Sequence, residues 1–272
     1  MQYDGEPSEF KVSKENQSVA DFALFSFIKV IAKINKIQHI MEYRKDEGLN
    51  ARMPDYKVKM GFGIHYGWAI EGAIGSFFKI DASYLSPNVN MASRLEAATK
   101  QYGVPLLISG VLYDIFSTEI KFICREIDKV TVKGSLQPMR LYTVDLDFDN
   151  LEEKADRFQN FTLKEKKHQR EVEKKALHKK LHSGKRTTWS IISKDKDFKE
   201  MRKKFDISLD KKFGEAYKKY KKGDWGSAKD LFAQCLKINP NDGPTLTLKS
   251  FMEESNGVCP PSWAGYRELT EK

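Results

Sequence analysis

The chain has 272 residues, of which 40% are hydrophobic and 12% aromatic, with a formal net charge of +9. That is enough for one sizeable globular domain and a smaller appendage. The longest apolar run, DFALFSFIKVIAKI, is interrupted by Lys29 and Lys33 and is too short to span a bilayer, and three scattered cysteines (Cys124, Cys235, Cys259) suggest neither a disulfide framework nor a zinc site.

Residues 1–17 are polar and aperiodic and stay unassigned. From Ser18, taken as N-cap, to about Asn35 the apolar residues recur with helical spacing. YKVKMGFGIHYGWAIEGAIGS predicts two strands joined by a turn near His65–Gly67, and FFKIDASYL a further extended piece. Gly67 is expected to allow a positive-φ turn, and Gly72 and Gly75 close backbone approach. A helix then runs through SPNVNMASRLEAA to about Tyr102, with Asn90 and Arg94 four residues apart and therefore on one face. VPLLIS predicts a buried strand and GVLYDIFS a short helix. IKFICREI, KVTVKG and MRLYTVDLD predict strands, with Cys124 a buried thiol. The mixture places residues 18–149 in the α+β class.

Beyond Asp149 the composition changes. Residues 150–197 form a basic linker, in which positions 163–186 carry ten Lys/Arg against three Glu. Without interleaved aromatics it predicts a solvated, partly helical segment and no nucleic-acid partner. His178 and His182 have metal-like spacing but no neighbouring carboxylate or thiolate. From about Phe198 to the chain end the pattern is helical. Ala216 and Tyr220 share one helix, Gly223-Asp224 make a turn, and Trp225, Ala228, Phe232 and Leu236 line a second helix stopped by Pro240. Residues 198–272 therefore resemble a tetratricopeptide-type helical hairpin, which must pack on this chain or on a protein partner, since one repeat cannot bury its own face.

MGFGIHYGWAIEGAIGS, then SPNVNMASRLEAATKQYGVPLLIS, then VTVKG occur in the order seen in class III nucleotidyl cyclase catalytic domains, and residues 18–147 resemble that family. The resemblance implies a ferredoxin-like sheet, ATP or GTP as substrate, a Mg²⁺ or Mn²⁺ cofactor, and a site formed by a homodimer or heterodimer of cyclase chains. By position, Asn90 matches the ribose-holding asparagine, Arg94 the transition-state arginine and Lys133 the triphosphate lysine. Ser83, seven residues before Asn90, matches the purine-reading position, but a hydroxyl both donates and accepts and leaves ATP versus GTP open, with ATP slightly favoured. Asp81 could substitute only if its loop shifted. His65 is expected to cap or pack the hairpin and Glu96 to be an ordinary helix carboxylate.

The family's two metal-binding aspartates precede the helix that begins here at Ser18, and neither Asp4 nor Asp21 has the right context. The first strand and the metal hairpin are thus expected to be missing, which would leave ladder groups and one apolar sheet face uncovered unless a second chain completes the sheet or the sequence is a fragment of a longer product. No charged-then-apolar leader opens the sequence, so the expected location is intracellular and cytoplasmic, within a longer membrane-associated parent or not. Cyclic-nucleotide synthesis is the leading reading. A catalytically inactive cyclase-like scaffold is the alternative.

Overall fold

The computed structural model describes residues 12–132, 137–148, 151–155, 160–182 and 187–269. Helix α1 spans Lys14–Ile34 and is capped by Ser13, whose hydroxyl accepts from the Asn16 amide. It begins a turn before the expected Ser18, because Lys14, Glu15 and Asn16 are tolerated in a solvated first turn. The short helices α2 (Gln38–Met41) and α3 (Glu47–Arg52) flank a 3-10 turn. Strand β1 (Phe62–Ile64) follows, then β2 (Ile70–Ser76), β3 (Lys79–Leu85) and helix α4 (Pro87–Tyr102). Next come β4 (Leu106–Ser109), α5 (Gly110–Ile115), α6 (Thr118–Ile123), β5 (Cys124–Val132) and β6 (Met139–Val144).

The expected hairpin at His65–Gly67 does not form. β1 enters a five-stranded sheet of order β1-β4-β6-β5 plus a C-terminal strand, whereas β2 pairs only with β3 in a separate ribbon. Nor is IKFICREI one strand. Ile120 and Ile123 face the core from α6, and the strand starts at Cys124 and runs unbroken into KVTV. Ser117 and Thr118 supply a helix start that the apolar run concealed. Gly67 does not have positive φ, and Gly72 has nothing within reach of an added side chain; only Gly75 makes its expected close approach, to the Lys79 carbonyl.

The basic segment holds α7 (Leu163–His182), largely exposed where its side chains are described. Helices α8 (Thr188–Ile192) and α9 (Lys196–Arg202) follow, then α10 (Ile207–Lys221), α11 (Trp225–Ile238) and α12 (Gly243–Glu254). The expected turn is present, with Gly223 at φ +82° and Asp224 capping α11 through the Ser227 amide. Ala216, Tyr220, Trp225, Ala228 and Phe232 are buried as the spacing predicts. The chain does not stay helical to its end: strand β7 (Arg267–Leu269) adds parallel to β5.

Both faces of the sheet are covered, contrary to the expectation of a bare one. On one side Leu95, Ala98 and Tyr102 of α4 pack with Leu107, Ile127, Val130 and Leu141 against Phe213, Tyr217 and Phe232 of the helical hairpin. The hairpin therefore buries its face on this chain's own sheet. On the other side α1 supplies Leu24, Ile28 and Ile31 against Ile64, Leu106, Ile108, Phe116 and Met201. Lys29 anchors α1 to α9 through Asp195 at 2.8 Å and Asp197. The outer edge of β1 has no strand partner among the described residues. No helix among them is long and apolar enough to cross a membrane.

Candidate functional site

β1 runs parallel to β4, β4 antiparallel to β6, and β6 antiparallel to β5, so β1, β4 and β5 all point the same way. Helix α4 leads into β4 through a three-residue connection and so runs back along the sheet. Its first turns lie toward the ends of β1 and β4, the end at which β5 also finishes. This topology sets the candidate site at one end of the sheet.

Local chemistry fixes the start of α4. Ser86 is its N-cap, accepting from the Val89 amide at 3.1 Å, and Pro87 occupies the first turn. Gly103 closes the helix at φ +62°. Asn88 binds the preceding connection to this first turn: its Nδ2 donates to the Trp68 carbonyl at 2.8 Å and its Oδ1 lies 3.1 Å from His65 Nε2. With the amide oxygen accepting, His65 carries its proton on Nε2 and leaves a buried, unpartnered Nδ1. Burial lowers the imidazole's pKa, against the Asn88 hydrogen bond, so the ring is neutral near pH 7. His65 thus packs the connection between β1 and β2, whereas the hairpin it was expected to cap or pack does not form. Gly67 is required here for a different reason from the one expected: a Cβ would overlap the Asn88 amide. Gly63 lets α4 lie directly on β1, where any side chain would strike the Ala92 carbonyl and Glu96 amide.

Asn90 is exposed and Arg94 half-buried, one helical turn apart. Among the described residues, neither side chain has a hydrogen bond or ion pair. Ser83 is half-buried on β3, opposite Gly72 and three residues before the N-cap. Lys133 lies outside the described residues; the last described residue before it is Val132, where β5 ends. Sequence reading missed Asn88, Tyr102, Asp128 and Arg267. The Tyr102 hydroxyl donates to Asp128 Oδ2 at 2.6 Å, and Arg267 Nε donates to the same oxygen at 2.7 Å. The one available signal was Asp128 in EIDKVTV, a carboxylate beside Ile127 in a strand that continues into Val130 and Val132, where burial demands a partner.

The described residues do not fit a divalent metal. No group of three or more His, Cys, Asp or Glu able to hold an ion occurs among the described residues. Asp21 is buried and accepts from the Ser117 amide at 3.1 Å, and its pKa is raised by burial. Asp81 is exposed on the ribbon beside Lys79 at 3.1 Å, and Asp4 lies outside the described residues. All three cysteines are free; Cys124 is half-buried, and burial pushes its thiol up.

Residues 8–145 match the family model described as the adenylate and guanylate cyclase catalytic domain, which spans just over half of the chain. The chain belongs to that family. It is 38% identical over 89 residues to an adenylate cyclase of Anabaena cylindrica, covering 32% of this chain and 18% of that protein. It is 35% identical over 88 residues to the terminal-differentiation-specific adenylate cyclase of Dictyostelium discoideum, covering 32% of this chain and 4% of that protein. The chain therefore spans less than a fifth of the length of these curated relatives. Among solved structures, a bacterial light-regulated adenylyl cyclase aligns at 21% identity and TM-score 0.29 over 55% of this chain and 49% of its own.

Proposed function

We propose that this chain supplies the Asn–Arg half of a composite site that converts a purine nucleoside triphosphate into its cyclic monophosphate and pyrophosphate. In that reaction the ribose 3′-oxygen forms a bond to the α-phosphorus, the bond to pyrophosphate breaks, and the hydroxyl proton leaves to a base on the other chain or in solvent. The carrying observation is the pairing of Asn90 and Arg94 on one face of α4, with Arg94 making no ion pair among the described residues. A guanidinium held without a protein counter-ion is suited to the charge that grows on the phosphoryl oxygens, which stabilises the transition state more than the ground state. Asn90, one turn earlier, orients the ribose, a positioning effect. Lys133 pairs with the triphosphate and Ser83 contacts the purine. ATP is the preferred substrate, consistent with relatives named as adenylate cyclases.

The Mg²⁺ or Mn²⁺ that the family implies finds no ligand set among the described residues; in this reading a second cyclase chain supplies its aspartates. The β2–β3 ribbon supports such pairing. Phe77 is 98% exposed and Phe78 94%, and Ile70, Ile74, Ile80 and Leu85 are exposed beside them. A lone two-stranded ribbon with this much open apolar surface is marginal in water and calls for a covering chain. Replacing Phe77 and Phe78 together by aspartate is expected to weaken association with the aspartate-bearing cyclase chain about thirtyfold in sedimentation velocity, the loss typical of an anchoring aromatic. A wild-type chain that forms no complex with that cyclase at any concentration would remove the paired site from this reading.

The direct test is rescue. The chain is mixed with a full-length cyclase whose own transition-state arginine has been replaced, with Mg²⁺ or Mn²⁺ and either ATP or GTP. Cyclic product that depends on Arg94 supports the reading; a stable mixed complex that forms no product favours the scaffold alternative. A cytoplasmic, soluble setting fits this role.

A further inference from the structure

Helix α4 carries the nucleotide-facing pair at its start, but it is gripped at its other end, and most of that grip comes from residues beyond the family match. Tyr102, the last residue of α4, is fully buried and donates its hydroxyl to Asp128 on β5. Asp128 is itself fully buried and accepts from three donors: Tyr102, Arg267 Nε and the Lys129 amide at 2.8 Å. The Arg267 guanidinium also lies 5.3 Å from the centre of the Tyr102 ring, which it covers. In addition, the Thr247 hydroxyl of α12 donates to the Gln101 carbonyl at 2.8 Å, satisfying one of the orphan acceptors of the last turn. Gly243, at the start of α12, lies so close to Tyr102 that a Cβ there would overlap its carbonyl.

The segment that delivers Arg267 is pinned along its length. Trp263 donates its indole N–H to the Tyr220 and Lys221 carbonyls at the end of α10, and its ring meets those of Tyr220 and Trp225 at 5.0 and 5.2 Å. Gly257 and Gly265 take positive φ on either side, turning the chain back toward the sheet. β7 then pairs with β5 in the register Val130–Arg267, Thr131–Glu268 and Val132–Leu269. This places the buried guanidinium between the sheet and the end of α4.

We propose that Arg267 is a positioning residue for Asn90 and Arg94, acting through Asp128 and Tyr102 to hold α4 at one axial and rotational setting on the sheet. The helix is a stiff rod about 24 Å long, so a shift at Tyr102 is carried to its first turns. A misplacement of about 1 Å there can cost up to about a hundredfold in rate. The C-terminal strand is on this account part of the site's geometry although it touches no nucleotide. What α4 is positioned for rests on the cyclisation reading; how it is positioned does not.

The test compares Arg267→Met, Arg267→Lys and Tyr102→Phe in the full chain by amide hydrogen exchange and in the rescue assay. Tyr102→Phe keeps the Arg267–Asp128 pair and the core ring, so it reports on the α4 link without threatening the fold. In Arg267→Met and Tyr102→Phe the amides of residues 91–102 are expected to exchange at least tenfold faster while those of Leu107 and Ile108 in β4 hold their rate, with Arg267→Lys closer to wild type. In the rescued pair kcat is expected to fall about tenfold with KM changed less than twofold. Equal acceleration of α4 and β4, or none in either, overturns the proposal by showing only a general stabilising role. So does a local loosening of α4 that leaves kcat untouched. If the wild-type chain yields no product at all, the cyclisation reading falls and the exchange comparison alone decides whether Arg267 holds α4.

Discussion

Arg94→Ala is expected to reduce cyclic-nucleotide formation in the rescued pair by about 10²–10³-fold, the usual cost of losing one preorganised donor to a developing phosphoryl charge. The loss should fall on kcat, because the guanidinium matters most when charge has built up on the α-phosphoryl oxygens. Arg94→Lys should recover only part of it, since an ammonium supplies charge without the planar fork that meets two oxygens at once. Arg94 makes no ion pair among the described residues and sits on a helix whose core contacts come from Leu95, Ala98 and Tyr102. Its removal should therefore leave the melting temperature within about 1 °C, in keeping with a partly exposed site. Activity that falls in parallel with stability would point to a structural arginine and against the transition-state role.

Helices with one clear face and a polar start were legible from sequence: α4, from its Ser-Pro beginning to Gly103, and the α10–α11 pair, from the Ala and aromatic spacing. Strand identity was less legible where apolar runs lacked a period. Ile120 to Ile123 look the same in a buried strand and in one apolar turn of helix, and only the Ser117-Thr118 start distinguishes them. The pairing of β2 with β3 instead of β1 was hidden because Gly-rich strands carry little register information. At the candidate site, Asn90 and Arg94 stood out through motif spacing, whereas Asn88 did not. Its role depends on meeting Gly67 and Trp68 some twenty residues earlier, a contact no local pattern encodes. Arg267 was the least legible of all, since its partner Asp128 lies 139 residues away.

The same long-range logic operates at a second buried arginine and gives the largest expected effect on stability. Arg125 on β5 donates through Nη1 and Nη2 to Asp242, at 3.2 and 2.7 Å, and through Nη2 to Asp145 at 2.6 Å, while its guanidinium covers the Phe213 ring at 4.7 Å. Asp242 is also the N-cap of α12, accepting from the Thr245 amide at 3.1 Å and from the Thr245 hydroxyl. One guanidinium thus ties the sheet, the end of β6 and the helical hairpin together. Replacing it with methionine leaves two carboxylates facing each other, one of them deeply buried, and should cost about 3–5 kcal/mol. That is a large part of the roughly 5–15 kcal/mol that holds a domain folded, and it corresponds to a fall of roughly 6–20 °C in melting temperature. Asp242→Asn should cost less, because asparagine remains a good N-cap and still accepts from Arg125.

The pH dependence separates the charge from the cap. Burial alone would raise the Asp242 pKa, but Arg125 and Thr245 outweigh it and hold the carboxyl below its ordinary value. A carboxylate with a lowered native pKa contributes stability that is fully present above about pH 4 and is lost as pH falls through the native value. Thermal melts of the wild type should therefore lose stability on that acid limb, and Asp242→Asn should lose less over the same interval while starting from a lower plateau near pH 7. Parallel acid limbs in the two proteins would show that the Arg125–Asp242 contact acts through shape and hydrogen bonding with no net contribution from charge.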